Sequence, residues 1–102
     1  MVVSDSEHLV GPVIRGADRD IAEALIEAIE RDNPDTHVTV QDRDGYVRIG
    51  CPGRCRVTRT SLEEALGEPM RLAELEPALA SFAGRMRLEG DQAIVWYLDR
   101  ED

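Results

Sequence analysis

The sequence predicts an α+β domain whose sheet is largely antiparallel. Three observations carry that reading. An amphipathic helical repeat follows Asp18, the turn pair Asp44-Gly45 separates two alternating apolar segments, and a strand-then-helix order recurs in the second half. The expected order is β-α-β-β, then β-α-α-β-β. The sheet is packed with helices, the two halves are similar, and the whole is loosely ferredoxin-like.

Residues 1–9 are polar and acidic without periodicity and read as a flexible N-terminal tail. The single domain is expected over 10–102. Val10-Gly-Pro-Val-Ile-Arg15 is a short apolar run with an early Gly-Pro, which predicts an edge strand. After the N-cap residue Asp18, Ile21, Leu25 and Ile29 recur every four residues, with Ala22 and Ala28 beside them. Glu23, Glu27, Glu30 and Arg31 fill the opposite side. Asn33-Pro34 ends this helix, because proline disfavours helical geometry in the residue before it.

Val38 and Val40, then Val47 and Ile49, alternate with polar residues. A turn centred on Asp44-Gly45 pairs Val40 with Ile49 on one face, so turn chemistry and alternation agree on one register. The next strand, 55–58, is expected to fold back on this hairpin, setting Cys51 opposite Cys55 across Pro52-Gly53-Arg54. Thr60 and Glu63 have capping-box spacing ahead of a short helix over 61–66, with Gly67 at its C′ position. Leu72, Leu75, Leu79 and Phe82 predict a third helix over 72–83, with Pro77 near its start. Two strands, 85–89 and 93–98, close the chain across Gly90-Asp91, and the turn length leaves open whether Ile94, Trp96 and Leu98 or Val95 and Tyr97 face inward, or whether the last strand is covered on both sides. Arg15 before Glu23-Ala-Leu25 and Arg59 before Glu64-Ala-Leu66 hint at a structural duplication.

At 102 residues and 11.4 kDa the chain has room for one core. Twelve basic residues, all of them Arg, oppose twenty-one acids for a net charge of −9. The Arg bias reads as genome composition. The acidity argues against nucleic acid and against an anionic membrane surface. It suits a protein partner with a basic rim. No apolar run approaches the roughly 18 residues of a membrane span, and the first residues lack a basic and apolar leader pattern. The expected location is cytoplasmic, with Cys51 and Cys55 as reduced thiols.

No catalytic signature emerges. Cys51-Pro-Gly-Arg-Cys55 has one residue too many for a thioredoxin-like motif, and only His8 and His37 are available to complete a zinc site. Incidental reduced thiols are the favoured reading over a disulfide, a metal site or catalysis. The many carboxylates fall on solvated faces and turns. A phosphate-binding glycine loop, a nucleophile elbow and a base-stacking platform are all missing. Unaided, the residues describe a small acidic domain that acts by binding, with Tyr46 and Arg48 pointing away from the Val47/Ile49 core.

Five segments in order add a family resemblance. They are Val10-Gly-Pro-Val-Ile-Arg15, Asp32-Asn-Pro34, Val40-Gln-Asp-Arg-Asp-Gly-Tyr-Val-Arg-Ile49, Thr58-Arg-Thr-Ser-Leu-Glu-Glu-Ala-Leu-Gly-Glu-Pro69 and Glu74-Leu-Glu-Pro-Ala-Leu-Ala-Ser-Phe-Ala-Gly84. Together they resemble the small coupling or effector proteins of soluble multicomponent diiron monooxygenases, most of all the toluene, alkene and isoprene branch. The Cys51–Cys55 segment and Pro77 depart from that pattern.

The resemblance implies a protein with no cofactor and no catalysis of its own. It implies docking on a diiron hydroxylase subunit over the helices that supply iron ligands, which reshapes the active site and ties NADH consumption to hydroxylation or epoxidation. It also implies competition with a Rieske-type ferredoxin for an overlapping surface, and a monomer when free. The docking candidates are the turn at Asn33 and Pro34, the hairpin face with Arg43, Tyr46 and Arg48, and the connection Glu68-Pro69-Met70-Arg71. The alternatives are a small-molecule-sensing domain of ferredoxin-like fold and a dithiol redox protein using Cys51 and Cys55.

Overall fold

The computed structural model describes residues 8–98. Among them the chain forms β1 (Leu9–Arg15), a 3-10 turn (Gly16–Asp18), α1 (Arg19–Asp32), β2 (Thr39–Asp42), β3 (Tyr46–Pro52), β4 (Arg54–Thr58) and α2 (Arg59–Leu66). A 3-10 helix (Leu72–Ala78), β5 (Leu79–Ala83), β6 (Arg85–Glu89) and β7 (Ala93–Tyr97) follow. The strands make two sheets, ordered β2-β3-β1-β5 and β4-β7-β6, and every pairing is antiparallel. Residues 1–7 of the expected tail lie outside the described residues. His8 and Leu9 are already tied in, since the His8 carbonyl accepts from Gly53 N–H at 2.9 Å and Leu9 opens β1. No described helix is long and apolar enough to cross a membrane.

The two sheets share one plan. In β1-α1-β2-β3 the last strand lies between the first and the second, and in β4-α2-β6-β7 it does so again. The hint of duplication in the sequence therefore corresponds to a repeated topology. β5 is the extra strand, and it returns to the first sheet to pair with β1. The core lies between the sheets and the two helices. Ile14, Leu25, Ile29, Ile49, Leu62, Leu75 and Trp96 are fully buried there. Asp32, the last residue of α1, fastens the helices together. Its carboxylate accepts from Thr58 N–H at 2.7 Å, Thr58 hydroxyl at 3.0 Å and Ser61 hydroxyl at 2.7 Å.

Several expectations hold. The hairpin register is Val40 opposite Ile49, and Arg43 N–H donates to the Tyr46 carbonyl at 2.8 Å around the Asp44-Gly45 turn. Gly67 is the left-handed C-cap of α2, with φ 81°. The open choice for the last strand is resolved by its place: β7 is the central strand of its sheet, and Ala93, Ile94, Val95 and Trp96 are all buried.

Four expectations are corrected. β1 is not an edge strand but lies between β3 and β5. Proline fits a central position here because the ladder to β3 is interrupted. It pairs Val10 with Cys51 and resumes only at Val13 with Arg48. Gly11 permits the close approach, with φ 150°, and a Cβ on it would sit 2.2 Å from the Ile49 carbonyl oxygen.

β4 does not fold back on β3. Both edges of β3 are taken by β1 and β2, so β4 leaves for the second sheet, where Cys55 lies opposite Trp96. Cys51 lies opposite Val10.

α2 is capped by Thr58, not Thr60. The Thr58 hydroxyl accepts from Ser61 N–H at 3.2 Å, and the helix begins at Arg59. The expected box partner, Glu63, serves instead as acceptor for Arg59 Nε at 3.0 Å and Met70 N–H at 2.9 Å.

The third helix is absent. Leu72, Leu75 and Ala78 are buried at a spacing of three, which is the period of a 3-10 helix rather than an α-helix. Pro77 cannot donate to an i−4 carbonyl, and after Ala78 the backbone extends into β5. Leu79 is half-buried and Phe82 is 41% exposed, so neither continues a helical core stripe.

Candidate docking face

The β2–β3 hairpin is held in place before any partner arrives. At its tip, Gly16 N–H donates to the Gly45 carbonyl at 2.9 Å. At its flank, Arg19 grips the Asp42 carboxylate through two nitrogens, at 2.8 and 3.1 Å, and joins α1 to β2. That hydrogen-bonded pairing holds the Asp42 carboxyl below the usual carboxylate range.

Alternation along the strands divides the first sheet into two faces. Val10, Ile14, Val47, Ile49 and Cys51 face the core. Tyr46 and Arg48 face out, and the Arg48 guanidinium lies 5.8 Å from the centre of the Tyr46 ring, within reach of a cation–π contact. Cross-strand pairing puts Arg15 beside Tyr46, and Gln41 and Val13 beside Arg48. Among the described residues Arg43 and Arg48 make no salt bridge, in a chain where acids outnumber bases by nine. Arg15 and Arg48 give this face basic groups, while Asp42 and Asp44 flank Arg43 at the hairpin tip.

A hollow of about 320 Å³ opens on the same face beside Gly50. Leu9, Thr39, Gln41, Arg48 and Ala83 stand around it. No single motif in the sequence marks this hollow, because it needs the register between β1 and β3.

The acids gather elsewhere. A wider groove of about 690 Å³ runs between α1 and the end of α2, with Asp18, Asp20, Glu23, Glu27 and Glu68 on its walls. Among the described residues no group of three or more His, Cys, Asp or Glu is arranged to hold a metal ion.

The remaining candidates divide between surface and interior. Pro34, Glu68, Pro69 and Arg71 are exposed in turns. Asn33 is half-buried, and its side chain is consumed internally. Its Nδ2 donates to the Ile29 and Arg56 carbonyls, both at 2.7 Å, and its Oδ1 accepts from Arg56 N–H at 3.2 Å. Met70 is a correction. Only 7% of it is exposed, and it packs in the core, so its side chain is not presented to a partner.

Cys51 and Cys55 are free thiols, both wholly buried. The Cys55 S–H donates to the Cys51 sulfur, which together with burial pushes the Cys55 thiol up and holds Cys51 down. This environment does not generate the exposed thiolate that redox or nucleophilic chemistry needs.

Comparison with known proteins gives consistent matches. The model of the MmoB/DmpM family matches residues 8–97. The effector subunit of an alkene monooxygenase system from Xanthobacter autotrophicus is 47% identical over 91 residues, covering 89% of this chain and 87% of that protein. The stimulatory component DmpM of phenol 2-monooxygenase from a Pseudomonas species is 30% identical over 78 residues, covering 76% of this chain and 84% of that protein. Among solved structures, a chain of a phenol hydroxylase–regulatory protein complex superposes with a TM-score of 0.71 at 25% identity, covering 89% of this chain and 98% of that one. The regulatory protein B of soluble methane monooxygenase shares the fold, with a TM-score of 0.66 at 24% identity, covering 97% of this chain and 70% of that one.

Proposed function

The chain belongs to the MmoB/DmpM family, and from that premise we propose that it binds the diiron hydroxylase of a bacterial hydrocarbon monooxygenase and couples NADH oxidation to hydroxylation or epoxidation. Its relatives are named effector, stimulatory and regulatory components, and it is an effector component of a multicomponent monooxygenase rather than a catalytic subunit. The observation that carries the proposal is the family match along 8–97, joined to the likeness to a regulatory protein solved in complex with phenol hydroxylase.

The mechanism is a shift between two hydroxylase conformations. An effector biases such an equilibrium only by binding one state more tightly than the other. A micromolar complex supplies about 8 kcal/mol in total, and a tenfold bias needs only about 1.4 kcal/mol of difference. The reshaped state is the one in which oxygen activation is matched to substrate oxidation. The hairpin face with Arg43, Tyr46 and Arg48 is the docking surface in this reading, with Pro34, Glu68, Pro69 and Arg71 at other exposed turns. An interface of about 800 Å² per partner fits a domain of this size. A Rieske-type ferredoxin competes for an overlapping part of the hydroxylase, so excess effector slows electron delivery. The free protein is a cytoplasmic monomer.

The test is a titration of purified hydroxylase, reductase and ferredoxin with this protein, measuring product formed per NADH consumed. The ratio is expected to rise and saturate near one effector per hydroxylase active site. A flat ratio overturns the reading.

A further inference from the structure

We infer that the outer face of the second sheet is a further contact surface for the hydroxylase, one that reads carboxylates on that partner through the row Arg54, Tyr97 and Arg85 at the corner where the two sheets join. This rests on the hydroxylase reading above and adds to it a second place of contact and the chemistry that fits it.

The register builds the row. Antiparallel pairing sets Arg54 and Arg85 on either side of Tyr97, and Arg56 and Arg87 on either side of Val95. Cys55, Val57, Ile94 and Trp96 alternate with these residues and are buried in the core, so the arginine rows point outward. Strand spacing and rise place the four arginine Cα atoms at the corners of a patch of about 10 by 7 Å. The two sheet crossings are made alike. Gly53, with φ 76°, precedes Arg54 where β3 passes into β4, and Gly84, with φ 89°, precedes Arg85 where β5 passes into β6.

Charge is sorted on this face. The third outward row is Thr58, Ala93 and Glu89, so Glu89 is the only acid at an outward position of these strands among the described residues. Asp91 follows in the β6–β7 turn, paired with Arg59, and Asp32 is bonded to Thr58. All three acids stand at the end away from Arg54, Tyr97 and Arg85. Asp99, Glu101 and Asp102 lie outside the described residues. The groove between the helices takes Asp18, Asp20, Glu23, Glu27 and Glu68 instead. Four arginines on one face of a chain with net charge −9 orient it toward a partner surface that bears negative groups.

The groups are arranged before contact. The Glu89 carboxylate meets Arg56 at 3.1 Å and Arg87 at 3.4 Å, and the Arg87 guanidinium lies 5.3 Å from the centre of the Tyr97 ring. Arg54 is exposed and makes no salt bridge among the described residues. Its planar fork suits a carboxylate. Nucleic acid or an anionic membrane would be repelled by the rest of the chain, whereas a folded protein brings a few carboxylates to one spot. Arginine and tyrosine are also the side chains that carry protein–protein contacts. Ala83, on the rim of the hollow beside Arg48, is two residues from Arg85, so this surface adjoins the sheet face assigned to the hydroxylase above.

The experiment measures the dissociation constant of the full-length chain, labelled at its N-terminus, for the purified hydroxylase at two salt concentrations. Arg54→Glu, Arg87→Gln and Arg31→Glu are compared with wild type, and thermal unfolding confirms that each variant folds. Arg54→Glu is expected to raise the constant at least about tenfold, with the larger effect at low salt, and Arg87→Gln about threefold. Arg31, on α1, pairs with Glu27 and Glu64 away from this face. Arg31→Glu changes the net charge as much as Arg54→Glu does and should stay within about twofold of wild type. Wild-type affinity in Arg54→Glu overturns the surface while leaving the effector reading intact. If that variant also melts lower, the chain's own acids at 99, 101 and 102 are the occupant instead. An equal loss in Arg31→Glu overturns the surface too, since net charge alone then governs binding. If wild type itself neither binds nor stimulates the hydroxylase, the effector reading fails and this surface with it.

Discussion

Asn33 and Arg56 are joined as two residues of an antiparallel ladder would be. Asn33 Nδ2 donates to the Arg56 carbonyl at 2.7 Å, and Arg56 N–H donates to Asn33 Oδ1 at 3.2 Å. The side-chain amide of Asn33 thus stands in for a peptide group along the free edge of β4, while it also closes the end of α1 through Ile29. Asn33→Ala removes these bonds and strands part-buried partners, which costs about 2 kcal/mol of stability. Chemical denaturation checks the magnitude. Because Asn33 binds inward, saturating stimulation of the hydroxylase is expected to stay at the wild-type level.

Gly84 and Gly67 both have positive φ, 89° and 81°, but differ in surroundings. Nothing lies within 4 Å of a Cβ on Gly67, so Gly67→Ala costs only the backbone strain, about 1 kcal/mol. At Gly84 a Cβ meets the Tyr97 carbonyl oxygen at 2.6 Å and Val10 Cγ1 at 2.7 Å, where β5 turns into β6. Gly84→Ala adds overpacking to the strain and is expected to cost about 3 kcal/mol or more. Equal losses in parallel denaturation curves would contradict the close packing at this corner.

What the sequence discloses and what it conceals follow from the range of each interaction. The β2–β3 register is readable because Asp44-Gly45 and the alternation of Val40, Val47 and Ile49 act within a dozen residues and agree. The 3-10 helix is not, because Leu72, Leu75, Leu79 and Phe82 satisfy an α-helical spacing that Pro77 does not allow to form. The departure of β4 to a second sheet depends on β1 and β2 already occupying β3, which no local pattern encodes. The hollow is concealed in a similar way, since it appears only when separate strands bring Leu9, Thr39, Gln41, Arg48 and Ala83 around it.

Acid is expected to weaken the fold through specific carboxylates. Glu63 is held below the usual range first by the Met70 N–H and then by Arg59, and Glu89 by Arg56 and Arg87. A carboxyl whose value is lowered on folding contributes stability that is complete above its unfolded value, about pH 4, and is lost as pH falls through the lower folded value. Melting temperature should therefore hold from about pH 6 to 5 and drop below about 4. Glu63→Gln lowers stability at pH 7 and makes the acid limb shallower, and melts at pH 7, 5, 4 and 3 separate the two effects.

The buried thiols lead to a reactivity prediction. Cys51 and Cys55 are fully enclosed, and Cys55 is pushed up by its neighbour and by burial. Iodoacetamide at pH 8 is expected to label neither in the native protein and both in denaturant, as counted by intact mass. Replacing both with Ser is expected to retain stimulation of the hydroxylase after allowance for lost stability. Abolished stimulation in a folded double variant would point to thiol chemistry instead.

Tyr46 offers a local test of the docking face. Its ring is half-buried at the start of β3, carries Arg48 above it and lies opposite Arg15. Tyr46→Ala removes the support that orders Arg48, while the core residues Val47 and Ile49 face the other way. The domain should stay folded, and the effector concentration needed for half-maximal stimulation should rise about three- to tenfold, the range of a lost aromatic contact near an interface centre. Tyr46→Phe keeps the ring and should stay near wild type. Since Arg48 loses order rather than charge, the salt dependence of Tyr46→Ala should remain close to wild type. Full activation by Tyr46→Ala at limiting effector would remove this residue from the interface.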